Sequence, residues 1–168
     1  MTILETKRLK LRTLTLSDIK TLYNLVFLDK EVVKYTFGNE FKTFLEVENF
    51  IKQNCNFDSN LGLSIIEEKE KKQIIGLAGV IECDYLGKKD YEFGFILGKN
   101  YWNKGFATEI GQAQIDFVKD TLKEKRVLAL AHKKNTSSIK CLKKLGLEYI
   151  KTVSTKNRGD RKVYILDF

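Results

Sequence analysis

The alternation of apolar and polar residues along the chain predicts strands near its start, in its middle and at its end. Leu9 and Leu11 alternate with charged neighbours, as in a strand with one buried face. Charged or glycine-containing turns separate three central apolar stretches, which favours an antiparallel meander. The further predicted strands cover residues 61–66, 74–81, 91–97, 127–131, 147–153 and 162–168.

Apolar residues at helical spacing predict helices between these strands. One amphipathic helix opens at Ser17, and Thr43 and Glu46 have capping-box spacing at the start of another. Further helical patterns follow Phe106 and Thr136. A strand, a helix and a strand in succession over residues 91–131 imply one parallel, right-handed crossover. The pattern therefore predicts an α+β fold: a mixed, mostly antiparallel central sheet of about six to seven strands flanked by about four helices.

Composition is that of an ordinary globular domain. The 168 residues are 43% hydrophobic and 31% charged, so we expect residues 1–168 to form one domain. The longest nearly unbroken apolar run, residues 74–81, is well short of the roughly 20 residues that a transmembrane helix needs. Charged residues interrupt residues 1–30, so no signal peptide is expected and a cytoplasmic protein is predicted.

Cysteine, histidine and charge narrow the possible functions. Cys55, Cys83 and Cys141 form no C-x-x-C pair, which favours free thiols over a disulfide scaffold or zinc site. Since His132 is the only histidine, multi-histidine metal sites are excluded, and no metal is expected. The net charge of +8 comes mostly from dispersed lysines. Nucleic-acid binding is therefore an alternative and not the expectation, and steep salt dependence would reveal it.

One stretch between a predicted strand and helix carries candidate chemistry. Residues 101–109 read Tyr-Trp-Asn-Lys-Gly-Phe-Ala-Thr-Glu, and free backbone amides at such a turn form an anion site. An ordinary strand–helix turn is the other interpretation. Upstream, Glu92 begins a strand in which Gly94 indicates a bulge or a ligand close to the backbone. Downstream, Ser138 lies on the inward face of a predicted helix, unless its hydroxyl only bonds back to a carbonyl.

Taken together, these segments resemble the GCN5-related N-acetyltransferase (GNAT) superfamily, and within it the RimJ/RimL-like ribosomal-protein alanine N-acetyltransferases. The matching segments, in chain order, are residues 5–12, 16–18, 29–35, 92–95, 101–109 and 135–147. The resemblance implies acetyl-CoA as cosubstrate and a primary amine as acceptor. The acceptor would be a ribosomal-protein N-terminus, another peptide or a small amine, and the protein a monomer or homodimer without membrane partners.

The resemblance also implies roles for individual residues. Glu92 corresponds to the strand carboxylate often assigned as base, and Ser138 to a hydroxyl beside the sulfur of the cosubstrate. Asn135 corresponds to a polar contact with the pantetheine arm, although an N-cap role alone is equally compatible with its position. The remaining cosubstrate-binding positions are Phe95, Ile96 and Leu97 along the pantetheine, and Asn103, Lys104, Gly105, Phe106, Ala107 and Thr108 at the pyrophosphate.

Two departures from the family pattern affect the expected mechanism. Asn103 replaces a usual glycine, which puts the shape of the pyrophosphate turn in question. Leu142 stands where many members have a tyrosine acid, so Ser138 becomes the candidate for the leaving thiolate. Direct attack in a ternary complex is expected, with an acyl-enzyme on Cys141 as the exception. Trp102 is interpreted as a packing anchor.

The predicted function is acetyl transfer from acetyl-CoA to a primary amine. The alternative is a non-catalytic acyl-CoA-binding or sensor domain, which would keep the phosphate turn without needing Glu92 or Ser138. Glu109 is interpreted as ordinary complementation of a helix dipole, and His132 as non-catalytic. The aromatic-rich residues 27–44 would form either the wall of an acceptor groove or part of the core.

Overall fold

The computed structural model describes residues 1–38 and 40–168 and is built on one eight-stranded sheet. The strands are β1 (Thr2–Glu5), β2 (Leu9–Arg12), β3 (Ser64–Glu68), β4 (Gln73–Cys83), β5 (Asp90–Leu97), β6 (Arg126–Ala131), β7 (Glu148–Thr155) and β8 (Gly159–Asp167). Their order across the sheet is β1-β2-β3-β4-β5-β6-β8-β7. The α+β prediction is confirmed, but the estimate of six to seven strands was one short, because the residues of β1 do not alternate between apolar and polar as those of β2 do.

Helices connect and cover the strands. They are α1 (Ile19–Leu22), α2 (Lys30–Val33), α3 (Phe44–Asn54), α4 (Phe106–Asp116) and α5 (Thr136–Lys144), and π-helical turns prolong α1 and α4. The capping box of Thr43 and Glu46 is confirmed at the start of α3. Within the described ranges, no helix has the length and apolar character required to cross a bilayer.

The sheet has a core on each face. Ile65 packs with the residues of α1 and α3, whereas its neighbour Ile66 packs with the first turns of α4. Leu77 and Ala78 divide in the same way, as the alternation of side chains along a strand requires. The helices therefore cover both faces of the sheet. A ligand-binding site is expected where the strands themselves separate.

The sheet opens between β5 and β6, the one parallel pair of neighbours. These strands meet in register only at Glu92 and Leu128. Beyond that point β5 pairs only with β4, as far as Leu97, while β6 pairs with β8 along its whole length. A V-shaped opening, which we call the cleft, therefore separates the carboxyl ends of β5 and β6.

An ion pair holds the closed end of the cleft. Arg126 donates from Nε and Nη2 to the two carboxylate oxygens of Asp90, at 2.7 and 2.6 Å. Asp90 is buried, and the two residues begin β6 and β5. Because the strands are parallel, this contact fixes their starts side by side while their ends diverge.

Candidate functional site

The cleft leads into a cavity of about 690 Å³. Its walls come from the ends of β5 and β6, the start of α5, the segment around Tyr35 and the turn between β7 and β8. Of the residues predicted from the sequence, it brings together Glu92, Phe95, Ile96, Asn135 and Ser138.

Glu92 is a buried carboxylate on the wall of this cavity. It is 7% exposed, and its Oε1 accepts a hydrogen bond from Nη2 of Arg158 at 3.0 Å. The same Arg158 nitrogen donates to the hydroxyl of Tyr85 at 2.9 Å. Burial raises the pKa of Glu92, and the charge of Arg158 partly opposes the rise. A carboxylate with a raised pKa is better matched to accepting a proton near neutral pH.

Ser138 and Asn135 lie across the cavity, in and before the first turn of α5. Asn135 Oδ1 accepts a hydrogen bond from the Ser138 amide at 3.2 Å, so Asn135 is an N-cap as well as a cavity residue. The Ser138 hydroxyl bonds to none of the residues that the structure describes. Back-bonding to a carbonyl is therefore not observed. Leu142, one turn further, lines the cavity with an apolar side chain.

The predicted phosphate turn lies just before α4 and has the conformation of an anion site. Asn103 and Gly105 have φ angles of +58° and +79°, in the left-handed region. Asparagine is one of the few residues besides glycine that adopt this region readily, so Asn103 keeps the turn that a glycine would make. In α4 the first amide that bonds back is that of Glu109, to Gly105 O at 3.0 Å. The amides of residues 106–108 precede it and have no intrahelical acceptor.

A second set of contacts holds this turn against the start of the chain. Glu109 accepts hydrogen bonds from Thr6 Oγ1 at 2.6 Å, from the Arg8 amide at 2.9 Å and from Arg8 Nε at 2.6 Å. Arg8 Nη1 in turn donates to the carbonyl of Lys104 at 2.9 Å. Although burial acts to raise the pKa of Glu109, these hydrogen bonds lower it overall. The helix-dipole interpretation of Glu109 was therefore incomplete, because the carboxylate also ties β1 and β2 to the turn.

Trp102 is tied to the end of β5 by a hydrogen bond, and not by the close packing that the sequence predicts, because its side chain is 38% exposed. Its Nε1 donates to the carbonyl of Leu97 at 2.8 Å, at the end of β5. The Leu97 side chain is buried and is not part of the cavity lining, unlike those of Phe95 and Ile96. The bulge interpretation of Gly94 was wrong, because the pairing of Gly94 with Gly79 lies in an unbroken register.

Gly94 instead faces open space. Chain neighbours aside, a Cβ built on it would meet none of the described heavy atoms within 4 Å. On the expectation that coenzyme A lies along this strand, Gly94→Leu should fill the cleft and weaken coenzyme A binding about tenfold or more, since the leucine would occupy the space expected for the ligand. Isothermal calorimetry and a melting curve would check this. Gly94→Ala is the matched control and should bind normally; equal binding by the leucine variant would refute the assignment of this space.

Other candidates from the sequence have clear positions. His132 lines the cavity, where its ring stacks on Tyr35 with centroids 4.8 Å apart. Phe27 and Phe41 pack in the core, whereas Phe37 belongs both to the core and to the cavity wall. Residues 27–44 therefore contribute to the core and to the cavity wall, and an acceptor groove there stays a prediction.

Cys141 faces α4 and not the cavity. Its Sγ lies 3.7 Å from Thr108 Oγ1, and burial raises the pKa of the thiol. A thiol with a raised pKa is a poor nucleophile. Over residues 1–38 and 40–168 no three His, Cys, Asp or Glu side chains come together as a metal-binding group. The expectation of no metal stays a prediction.

Sequence reasoning missed the charged and polar groups around Glu92, among them Tyr85, Arg158 and Arg161. Tyr85 and Arg158 reach Glu92 from distant turns, and Arg161 lies beside them on β8. Arg158 is 66 positions from Glu92 in the chain, so no local spacing connects the two.

Comparison with known proteins agrees with this geometry. Residues 8–148 match the family model of the acetyltransferase (GNAT) domain. The chain belongs to this family and is an acyltransferase. Its relatives include the uncharacterized N-acetyltransferase p20 of Bacillus licheniformis, 32% identical over 88% of this chain and 83% of the relative. They also include a spermidine N(1)-acetyltransferase of Escherichia coli, 24% identical over 82% of this chain and 71% of the relative.

Solved structures share the fold. A GNAT-family acetyltransferase from Bacillus anthracis has a TM-score of 0.80 and 22% identity over 99% of this chain and 98% of its own. A Vibrio cholerae spermidine N-acetyltransferase in complex with CoA and spermine scores 0.74 at 20% identity, covering 96% of each chain. RimL, a ribosomal L7/L12 alpha-N-protein acetyltransferase in complex with coenzyme A, scores 0.73 at 12% identity over 99% and 98%. At these identities the three likenesses show a shared fold.

Proposed function

We propose that this acyltransferase moves an acetyl group from acetyl-CoA to a primary amine by direct attack in a ternary complex. The observation that carries the proposal is the cleft, whose cavity brings together a buried carboxylate and a free hydroxyl, and whose wall strand β5 leads to the amide-rich turn before α4. The expectation of a RimJ/RimL-like enzyme is part of this proposal, since the fold alone does not separate that branch from others.

The residues present fit coenzyme A on two observations. The amides of residues 106–108 supply donors for a pyrophosphate, and the helix dipole of α4 reinforces them. The space beside Gly94 leaves room for a chain along β5. Phe95 and Ile96 would border the pantetheine arm, with Asn135 opposite them. Bound there, acetyl-CoA supplies a thioester whose carbonyl carbon accepts an amine.

The chemistry requires a neutral amine. An α-amine with a pKa near 8 is about one tenth neutral at pH 7, while a lysine amine is less than about one thousandth neutral. Glu92 would accept the proton that the amine nitrogen releases, directly or through water, which is worth about 10²- to 10⁴-fold in rate. Backbone amides near Ile96 would stabilise the developing oxyanion, and the Ser138 hydroxyl would donate a hydrogen bond to the leaving sulfur.

Ser138 offers a direct test of the proposed chemistry. We expect Ser138→Ala to lower kcat about 10- to 100-fold, because a hydrogen bond to a developing thiolate is lost. Coenzyme A affinity, measured by calorimetry, should change by no more than about twofold, since the phosphate turn is intact. Ser137→Ala is the matched control, because Ser137 is its exposed neighbour. Equal rates for the two variants would remove Ser138 from the mechanism.

The function itself is tested on the wild-type protein. Calorimetry with acetyl-CoA should show saturable binding, and mass spectrometry should detect acetylation in a panel of peptides and small amines. Binding without acetylation of any amine is the outcome expected of the acyl-CoA sensor alternative. An absence of binding would refute the proposal altogether.

A further inference from the structure

Arg161, on β8, is a buried arginine without a counter-ion. The residue is 5% exposed. Its guanidinium donates to two carbonyls, Asp160 O at 3.1 Å and Tyr35 O at 3.4 Å, and it forms no ion pair with any carboxylate of the described residues. The other four arginines each pair with an Asp or Glu: Arg8, Arg12, Arg126 and Arg158.

Such an arrangement is unfavourable in the protein alone. Withdrawing a charge from water costs several kcal/mol unless an opposite charge compensates it. The neighbouring Arg158 adds repulsion, and together with burial it lowers the pKa of Arg161. Since nothing in the described chain supplies the missing negative charge, a bound ligand is the natural source.

Arg161 also faces the place where the acceptor would bind. It lines the cavity that holds Glu92 and Ser138, and it lines an adjoining pocket of about 580 Å³. The adjoining pocket is strongly basic. Among residues 1–38 and 40–168, its charged lining is Lys34, Lys133, Arg158, Arg161 and Lys162, against the acid Asp160.

We propose that Arg161 binds a carboxylate of the acceptor, so that the substrate is a primary amine carrying a nearby negative charge. This inference rests on the proposed function and names its substrate class. An amino acid or an acidic N-terminal peptide fits the site. A polyamine does not, because its second ammonium group would meet the basic pocket, where like charges repel.

Matched acceptors test the proposal. The tripeptide amides Ser-Glu-Ala and Ser-Gln-Ala share one α-amine and differ in a single charge, and 4-aminobutyrate and its amide are the small-molecule pair. We expect kcat/KM to favour the carboxylate of at least one pair by about 10- to 100-fold, the value of a charge-assisted hydrogen bond. The pair with the larger carboxylate-to-amide ratio of kcat/KM shows whether the carboxylate that Arg161 binds belongs to a peptide or to a small molecule. Spermidine should be the poorest acceptor.

Variants of Arg161 connect the preference to this residue. Arg161→Met should reduce the carboxylate-to-amide ratio to near unity, and Arg161→Lys should restore part of it. Loss of an uncompensated charge should leave the melting temperature unchanged or raise it, whereas a purely structural arginine would lower it. A ratio that Arg161→Met does not alter overturns the proposal.

The remaining outcomes are decisive as well. Acetylation of spermidine or the amides as efficiently as the carboxylates overturns the inference while the proposed function stands. If coenzyme A binds but no acceptor is acetylated, calorimetry compares the affinities of Ser-Glu-Ala and Ser-Gln-Ala for the coenzyme A-loaded protein. Tighter binding of Ser-Glu-Ala supports the inference, and equal affinities overturn it. An absence of coenzyme A binding is instead the failure of the proposed function.

Discussion

Replacing Glu92 by glutamine is expected to lower kcat about 10²- to 10⁴-fold, the range that a general base contributes. The amide keeps the shape of the side chain but cannot accept the amine proton. Coenzyme A binding should persist, because the proposed phosphate turn consists of residues 103–108 and does not include Glu92. The measurements are steady-state kinetics with the best acceptor and calorimetry with coenzyme A.

The pKa of Glu92 also predicts the direction in which the rate changes with pH. Burial raises the pKa of Glu92, and the base works only when it is ionised, so kcat/KM should fall as the pH drops through that raised pKa. Arg158 opposes the rise. In Arg158→Met the acidic limb should therefore move to higher pH, because the carboxylate loses its stabilising charge. Glu82→Gln, on the exposed end of β4, is the control. A Glu92→Gln enzyme with the wild-type rate and profile would show that the carboxylate is not the base.

Replacing Arg126 by methionine is expected to lower the free energy of unfolding by about 3–5 kcal/mol, the cost of leaving one partner of a buried ion pair alone. The partner left behind is Asp90, 5% exposed, which loses both charge-assisted hydrogen bonds. Urea or guanidinium denaturation would measure the loss. The relative position of β5 and β6 at the cleft should also become less fixed, because this contact holds the starts of the two strands together.

A control variant and a double variant test whether the loss of stability in Arg126→Met comes from the ion pair. Lys125→Met changes an exposed neighbouring charge and should cost little. The double variant Asp90→Leu with Arg126→Met should recover much of the loss, since an apolar pair does not strand a buried charge. If Arg126→Met alone unfolds with the wild-type midpoint, the ion pair is not what holds the closed end of the cleft.

The sequence predicts the parts of this protein that depend on neighbouring residues. The capping box of Thr43 and Glu46, the meander and the turn before α4 all arise from spacing over a few positions, and all are confirmed. Asn103 shows the limit of a motif, because only its φ angle of +58° shows that the substitution preserves the turn. β1 escaped prediction because its pairing with β2, and not its own pattern, makes it a strand.

The charges of the site depend on contacts between distant segments. Arg161 reaches Tyr35 across 126 positions, and Arg8 reaches Glu109 across 101. No periodicity links such residues. The composition, poor in arginine and rich in lysine, predicts basic residues dispersed over the surface, and only the fold shows that several of them line one pocket. The sequence could thus single out Glu92 as a candidate, and the structure places it on the cavity wall, whereas its electrostatic surroundings could not be inferred.

The single register contact between β5 and β6 has a consequence for motion. Two well-paired half-sheets meet there along a seam with little backbone bonding of its own, so that side-chain packing and not strand pairing holds the halves together. A substrate that lies along β5 and also contacts α5 bridges both halves. A bound substrate would then hold the two half-sheets together. The ligand-free enzyme would be the form in which they are least firmly connected and which a protease cleaves most readily.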